Sequence, residues 1–187
     1  MRLFAALEIP STVRENLAAL LESLRAVSPQ TRWVRPQNLH VTLKFMGEVP
    51  ETKLAATCSA LAGVRSDQPV TLEFRGLGFF PNEKRPRVFW AGIDASPNLK
   101  TLAADLERAM EKLGIPREQR PFSPHLTLAR FEPPGLPEKL RSAIQENAAR
   151  EFGSFRTNQC HLIESKLKPS GAEYTTLESF PFVAAEA

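Results

Sequence analysis

Two distant stretches of this chain can be laid on one another at a single offset. Arg2, Phe4 and Ala6 fall on Arg87, Phe89 and Ala91, each 85 residues on, and His40, Thr42 and Leu43 fall on His125, Thr127 and Leu128 at the same offset of 85. One offset serving separate strands suggests duplication of a β-α-β-α-β unit, within a single bilobal domain over residues 1–187, with repeats at about 1–80 and 86–187.

The hydrophobic period fits that unit in both halves. Residues 2–9 read as a buried strand, and Val13, Leu17, Leu20, Leu21 and Leu24 give a helix from about residue 12. Thr12 and Glu15 have capping-box spacing at its start. Leu39 to Phe45 reads as a strand, 51–62 as a weaker helix ending at Gly63, and Val70 to Phe74 as a strand. In the second half Arg87 to Asp94 is a strand, and Ser96-Pro97 opens a helix at the N-cap and N1 positions, which Gly114 stops. A strand at His125 to Phe131, a helix at 137–150 and strands at Cys160 to Leu167 and Tyr174 to Val183 complete it. Proline-rich loops, among them Pro133 to Pro137, separate these elements.

Composition excludes extremes and little else. Charged residues at 24% and hydrophobics at 42% describe an ordinary folded chain, and a net charge of +3 permits a polyanionic ligand without demanding one. Cys58 and Cys160 are in no zinc-ligand pattern, so two free thiols in a reducing compartment are expected, with a single disulfide as the alternative. The opening apolar run is broken by Glu8, and no stretch approaches the roughly 20 apolar residues of a bilayer span, so a cytoplasmic protein with no membrane contact is expected.

The motif that carries chemistry is His-x-Thr-Leu, present as His40-Val41-Thr42-Leu43 and His125-Leu126-Thr127-Leu128. Two of only three histidines belong to it. On a strand, His and Thr two residues apart share one face while the residues between them turn inward. A lone histidine on a strand is more often structural than catalytic, but a duplicated polar face has little structural purpose. Two imidazoles and two hydroxyls around one cleft suit in-line displacement at a phosphodiester. One imidazole takes a proton from water, the other gives one to the leaving oxygen, and the hydroxyls donate to the non-bridging oxygens. Two histidines without a positioned Asp, Glu or Cys make a poor ligand set, so no metal is expected, and the absence of GxxxxGK gives ATP no support. His161 reads as structural.

With those residues the chain resembles the 2H phosphoesterase superfamily, specifically the RNA 2′,3′-cyclic phosphodiesterases, also called 2′-5′ RNA ligases. The similarity covers Arg2 to Leu7, Trp33 to Gly47, Pro124 to Arg130, and Leu162 to Leu167 with Gly171 and Tyr174. It implies an α+β fold of two pseudo-symmetric lobes, each an antiparallel sheet backed by helices, with a central cleft lined by the two His-x-Thr strands. It implies metal-independent opening of RNA 2′,3′-cyclic phosphate ends to 2′-phosphates without a cofactor, His40 as general acid and His125 as general base. Thr42, Thr127, Arg130 and Phe45 are the implied substrate-binding residues. Members also join RNA ends through 2′-5′ linkages. RNA ends or small nucleotides carrying the cyclic phosphate are the expected partners, and a monomer is expected.

Simple alternation argues against Phe45 and Arg130, each five residues past its histidine, because an odd offset points to the opposite face unless a bulge intervenes. Phe45 then reads equally as core and Arg130 as a surface ion pair. The basic loop Pro81 to Arg87 is either an RNA-backbone contact or a solvated surface. Two rival functions stand beside the main reading. One is a nucleotide- or RNA-binding module using the same cleft without turnover. The other is a phosphodiesterase acting on 2′-5′ oligonucleotides or small cyclic nucleotides.

Overall fold

The alternating and helical periods become, in chain order, β1 (Arg2–Glu8), α1 (Ser11–Val27), β2 (Arg32–Trp33), β3 (His40–Glu48), α2 (Leu54–Ala62), β4 (Val70–Phe80), β5 (Val88–Ala95), α3 (Asn98–Glu111), β6 (His125–Arg130), α4 (Glu138–Glu146), β7 (Glu151–Thr157), β8 (Gln159–Lys168) and β9 (Gly171–Pro181). Single 3-10 turns occupy Pro36–Asn38 and Glu51–Lys53. The computed structural model describes residues 1–133 and 135–183; Pro134 in the expected Pro133–Pro137 loop and 184–187 at the end of the expected second repeat lie outside them.

The strands form two antiparallel sheets, ordered β3-β1-β8-β9 and β2-β6-β5-β4-β7. This is an α+β architecture of two antiparallel sheets and four helices; the α+β class and the two antiparallel sheets backed by helices are those the resemblance implied. Each sheet takes strands from both halves of the chain. The first joins β1 and β3 of the first half to β8 and β9 of the second, and the second joins β5, β6 and β7 of the second half to β2 and β4 of the first. The helices interleave likewise: α3, which follows β5, packs on β3 of the first sheet, and α1, which follows β1, packs on β7 of the second. Asn16 of α1 donates to Phe152 O of β7 at 2.8 Å.

One apolar core gathers Leu3, Leu7, Val41 and Leu162 of the first sheet with Leu72, Phe89, Leu126 and Phe152 of the second. All five apolar residues of the α1 stripe are buried in it. Phe4, Ala6 and Ile163 form a separate small cluster on the other face of the first sheet, with Tyr174 against it. That second face carries His40.

Local signals report less well than periods. No capping box forms, because the extended Pro10 opens α1 at Ser11, its carbonyl accepts Arg14 N at 3.0 Å, and Thr12 falls inside the first turn. Ser96 does not cap α3 either; its hydroxyl accepts Thr71 N of β4 at 2.9 Å, and the helix starts at Asn98. Gly114 does end the helix region, at φ +83° with its N–H on Glu111 O at 3.0 Å. Strand β4 runs on to Phe80 across a bulge, where Phe74 and Leu77 face Ile93 and Ala91. Opposite that bulge Gly92 is required, since a Cβ there would lie 2.5 Å from Arg75 O.

Candidate active site

On β3 the period-two alternation turns Val41 and Leu43 into the core and leaves His40 and Thr42 half-buried on the outer face; on β6 Leu126 and Leu128 turn in while His125 and Thr127 turn out. The two strands abut where the sheets meet, and Val34, just before the 3-10 turn, donates its N–H to Leu128 O at 2.8 Å.

Both strands then break alternation at the same place. Ala6 faces Thr42 and Ala5 faces Lys44, so Leu43 is an extra residue. Trp90 faces Thr127 and Phe89 faces Ala129, so Leu128 is extra in β6. These are β-bulges, each putting two consecutive side chains on the core side and returning the next to the outer face. Phe45 and Arg130 are therefore exposed on the faces of His40 and His125. The odd offset that argued against them is removed by the bulge. Phe45 is 57% exposed, so it is not core, although its ring rests on Phe4 at 5.6 Å. Arg130 is no surface ion pair: its neighbour Arg32 takes Glu132 at 3.0 Å, and among the described residues no carboxylate reaches Arg130.

The imidazoles are oriented alike. His40 Nδ1 is 3.2 Å from Asn38 O, and His125 Nδ1 is 2.8 Å from Ser123 O. A carbonyl only accepts, so each Nδ1 carries the proton and each Nε2 is left for chemistry. The turn supplying the first carbonyl is itself clamped, because Asn38 Nδ2 and Arg35 Nη2 both donate to Ala172 O, at 2.9 and 2.8 Å. The loop that leads to His125 is held by the buried Lys44, whose Nζ donates to Glu107 Oε2 at 2.9 Å and to Pro116 O at 2.7 Å.

Surroundings separate the two. His40 lies against Phe4 (6.3 Å between ring centroids) and Tyr174 (5.8 Å). Burial pushes its pKa below the usual 6.5; the Asn38 carbonyl opposes this, Arg14 adds to it, Glu8 opposes it and His161 adds to it. His125 meets the edge of Phe80 at 5.0 Å, and Phe80 leans on Trp90 at 5.4 Å. The indole lies over Gly78, where a Cβ would come within 2.3 Å of it.

Phe4, Glu8, Phe80 and Tyr174 are neighbours of the histidines that sequence reasoning did not place in the site, and Trp90 stands behind Phe80. The signal for Phe4 and Glu8 was present: they alternate with Leu3, Ala5 and Leu7, so they belong to the outer face. His161 is buried and hydrogen-bonded to Ser179 Oγ at 2.8 Å, yet it too lies on the His40 face, opposite Ala6. The loop Pro81 to Arg87 follows Phe80 directly, and Asn82 Oδ1 shapes it by accepting the N–H groups of Lys84 and Arg85, both at 3.0 Å. Cys58 and Cys160 are free, and burial pushes the Cys160 thiol to about 11. Among the described residues no three His, Cys, Asp or Glu side chains converge as a metal site, and no helix is long and apolar enough to cross a membrane.

Two imidazoles with available Nε2 atoms can each take or give a proton, and two threonine hydroxyls can donate hydrogen bonds. Comparison with known proteins finds phosphoesterases. A model of the LigT like Phosphoesterase family matches residues 7–90 and 93–174. A Thermus thermophilus protein named RNA 2′,3′-cyclic phosphodiesterase is 39% identical, across 96% of this chain and 89% of its own length. One of the same name from Archaeoglobus fulgidus is 36% identical, across 96% and 99%. A crystal structure of a Thermus thermophilus protein superposes with a TM-score of 0.78 at 35% identity, covering 97% of this chain and 98% of that one. Escherichia coli LigT complexed with 3′-AMP superposes at 0.75 and 29% identity, with 98% of both chains covered.

Proposed function

The chain belongs to the LigT-like phosphoesterase family, and on that premise we propose that it opens RNA 2′,3′-cyclic phosphate ends to 2′-phosphates, with His40 and His125 as its acid and base. The observation that carries this reading is the repeated frame: each imidazole is pinned through Nδ1 by the carbonyl two residues before it, and has a threonine two residues on. A frame built twice around one sort of atom, an available Nε2, suits a reaction that needs one proton taken and one given.

Water attacks phosphorus while His125 Nε2 takes its proton. The bond from phosphorus to the 3′ oxygen breaks, and His40 Nε2 delivers a proton to that oxygen, leaving a 3′-hydroxyl and a 2′-phosphomonoester. Each transfer contributes typically ~10²–10⁴-fold. Burial makes His40 the readier donor, and the bound phosphate's negative charge favours its protonated form. Thr42 and Thr127 donate to non-bridging oxygens, where charge accumulates. Arg130 pairs with the phosphate, and Phe45 offers a ring for a base to stack on. With a ribose 5′-hydroxyl in place of water, the same transfer makes a 2′-5′ linkage. The 81–87 loop, next to Phe80 and His125, is placed to meet RNA phosphates beyond the end.

The same reading takes the chain as one bilobal domain grown from a repeated β-α-β-α-β unit, over about 1–80 and 86–187, whose halves exchanged strands and helices. The matched bulges at Leu43 and Leu128 support it. The reading includes a cytoplasmic site of action, with which the two free thiols are compatible.

The test incubates purified protein in EDTA with an oligoribonucleotide ending in a 2′,3′-cyclic phosphate, beside His40→Ala and His125→Ala. Conversion to the 2′-phosphate, lost in both variants, is expected. Tight binding with no turnover would instead make the protein a binding module, and equal turnover in the variants would remove the histidines from the reaction.

A further inference from the structure

Glu8, His161 and Thr176 converge beside His40, and the chemistry above uses none of them. Glu8 ends β1 directly across the ladder from His40, so the two side chains stand together on the outer face. Thr176 of β9 donates to Glu8 Oε1 at 3.3 Å, and His161 Nε2 lies 3.9 Å from Glu8 Oε2. That second distance is too long for a hydrogen bond. The carboxylate is thus steered from β8, next to β1, and from β9 beyond it, without being tied up in a close pair.

A carboxylate beside an anion-binding site needs a reason, because it repels the phosphate the site must hold. The surroundings of His40 supply one. Its half-burial disfavours the imidazolium. Arg14 of α1, anchored to Pro36 O at 2.8 Å, adds a positive charge on one side. His161 of β8 lies on another, and the Tyr174 ring of β9 stands against it. Glu8 of β1 is the one anionic group among the described residues that faces His40.

We propose that Glu8 is a positioning residue for the acid, a carboxylate held at His40 so that the imidazole keeps the proton it delivers. The inference rests on the two-histidine reading for its functional meaning, but its physical content is separate. It makes the alkaline limb of activity a property of the β1–β3 ladder as well as of His40.

The experiment follows the His40 Cε1–H resonance by NMR across pH in the resting full-length protein, for the wild type, Glu8→Gln and Glu8→Lys. Profiles of kcat/KM against pH on the cyclic-phosphate oligonucleotide run beside it. Glu8 is 46% exposed on its side chain, so solvent screens it. A shift of about 0.5 pH unit downward is expected for Gln, below the one to three units of a close ion pair, with a larger shift for Lys. The alkaline limb should move with the resonance, and high salt should shrink all three differences. A midpoint unmoved in both variants overturns the proposal, even if activity falls, because Glu8 would then act through folding or binding. If His40→Ala keeps full activity the catalytic reading fails, and the resonance still decides the role of Glu8.

Discussion

In β3 the imidazole of His40 sits half-buried against Phe4 and Tyr174, with Glu8 across the ladder. In β6 the imidazole of His125 meets the edge of Phe80, and an exposed Arg130 follows on the same face. Between these two regions the backbone is constant: histidine, threonine two on, a bulged leucine, an Nδ1 held by a carbonyl two residues back. What differs is charge and burial. The comparison teaches that a shared frame can aim two identical groups while their surroundings differ; on the proposed reading, one side tunes a proton and the other holds an anion.

The largest effect that would sharpen this comparison is the loss of both histidines. Each single alanine variant should lose ~10²–10⁴-fold in kcat, and the double variant should lose little more than the worse single, since the two act in one step. Single-turnover rates check this. Multiplied losses would mean that the two regions act independently.

Next is the position after the bulge, where Lys44 is buried in β3 and Ala129 stands in β6. Lys44→Ala gives β3 the small residue of its counterpart but strands Glu107 and Pro116 O. It should lower stability by about 3 kcal/mol in urea unfolding, as breaking a buried pair does. A loss within experimental error would show that the ion pair is dispensable to the loop before His125.

Smaller effects belong to the residues five past each histidine. Arg130→Ala should lower kcat/KM on the cyclic-phosphate oligonucleotide by about tenfold or more, a charged hydrogen bond to phosphate being worth ~1.5–3 kcal/mol. Phe45→Ala should lower it by about fivefold, the low end for base stacking, because the ring stands exposed. Phe45 should matter more for a base-bearing substrate than for a bare ribose cyclic phosphate, and Arg130 equally for both.

The smallest effect is on stability. Burial leaves the folded pKa of His40 below its unfolded value, so between the two the unfolded chain binds more protons. Stability therefore rises with pH through the window below 6.5 and falls as pH drops through it. His40→Gln should flatten that slope in urea midpoints measured across the window; an unchanged slope would remove His40 from the pH dependence.

Much of this was legible in the sequence because period and spacing report directly on faces. The apolar stripe of α1, the inward Val41 and Leu126, and the outward His-Thr pairs all follow from alternation or helical pitch. What escaped depends on pairing between distant segments. Nothing local in residues 151–157 says that β7 will edge the second sheet beside β4, or that α1 will cover it. The capping signals at Thr12 and Ser96 fail because Pro10 opens the first helix and the Ser96 hydroxyl is taken by Thr71 N of β4. Phe45 and Arg130 came from resemblance against simple alternation, and the bulges that reconcile them exist only once β1 and β5 are in register. Glu8 reads as the break in an apolar run, which is all that a single strand permits.

The division of labour between the two regions is tested most directly with a 2′,3′-cyclic substrate whose 3′ bridging oxygen is replaced by sulfur. A thiolate leaves without a proton, so the acid becomes unnecessary while the base does not. The account predicts that His40→Ala recovers most of its lost rate on the sulfur substrate and that His125→Ala stays slow. Recovery of His125→Ala instead, or of neither, would contradict it.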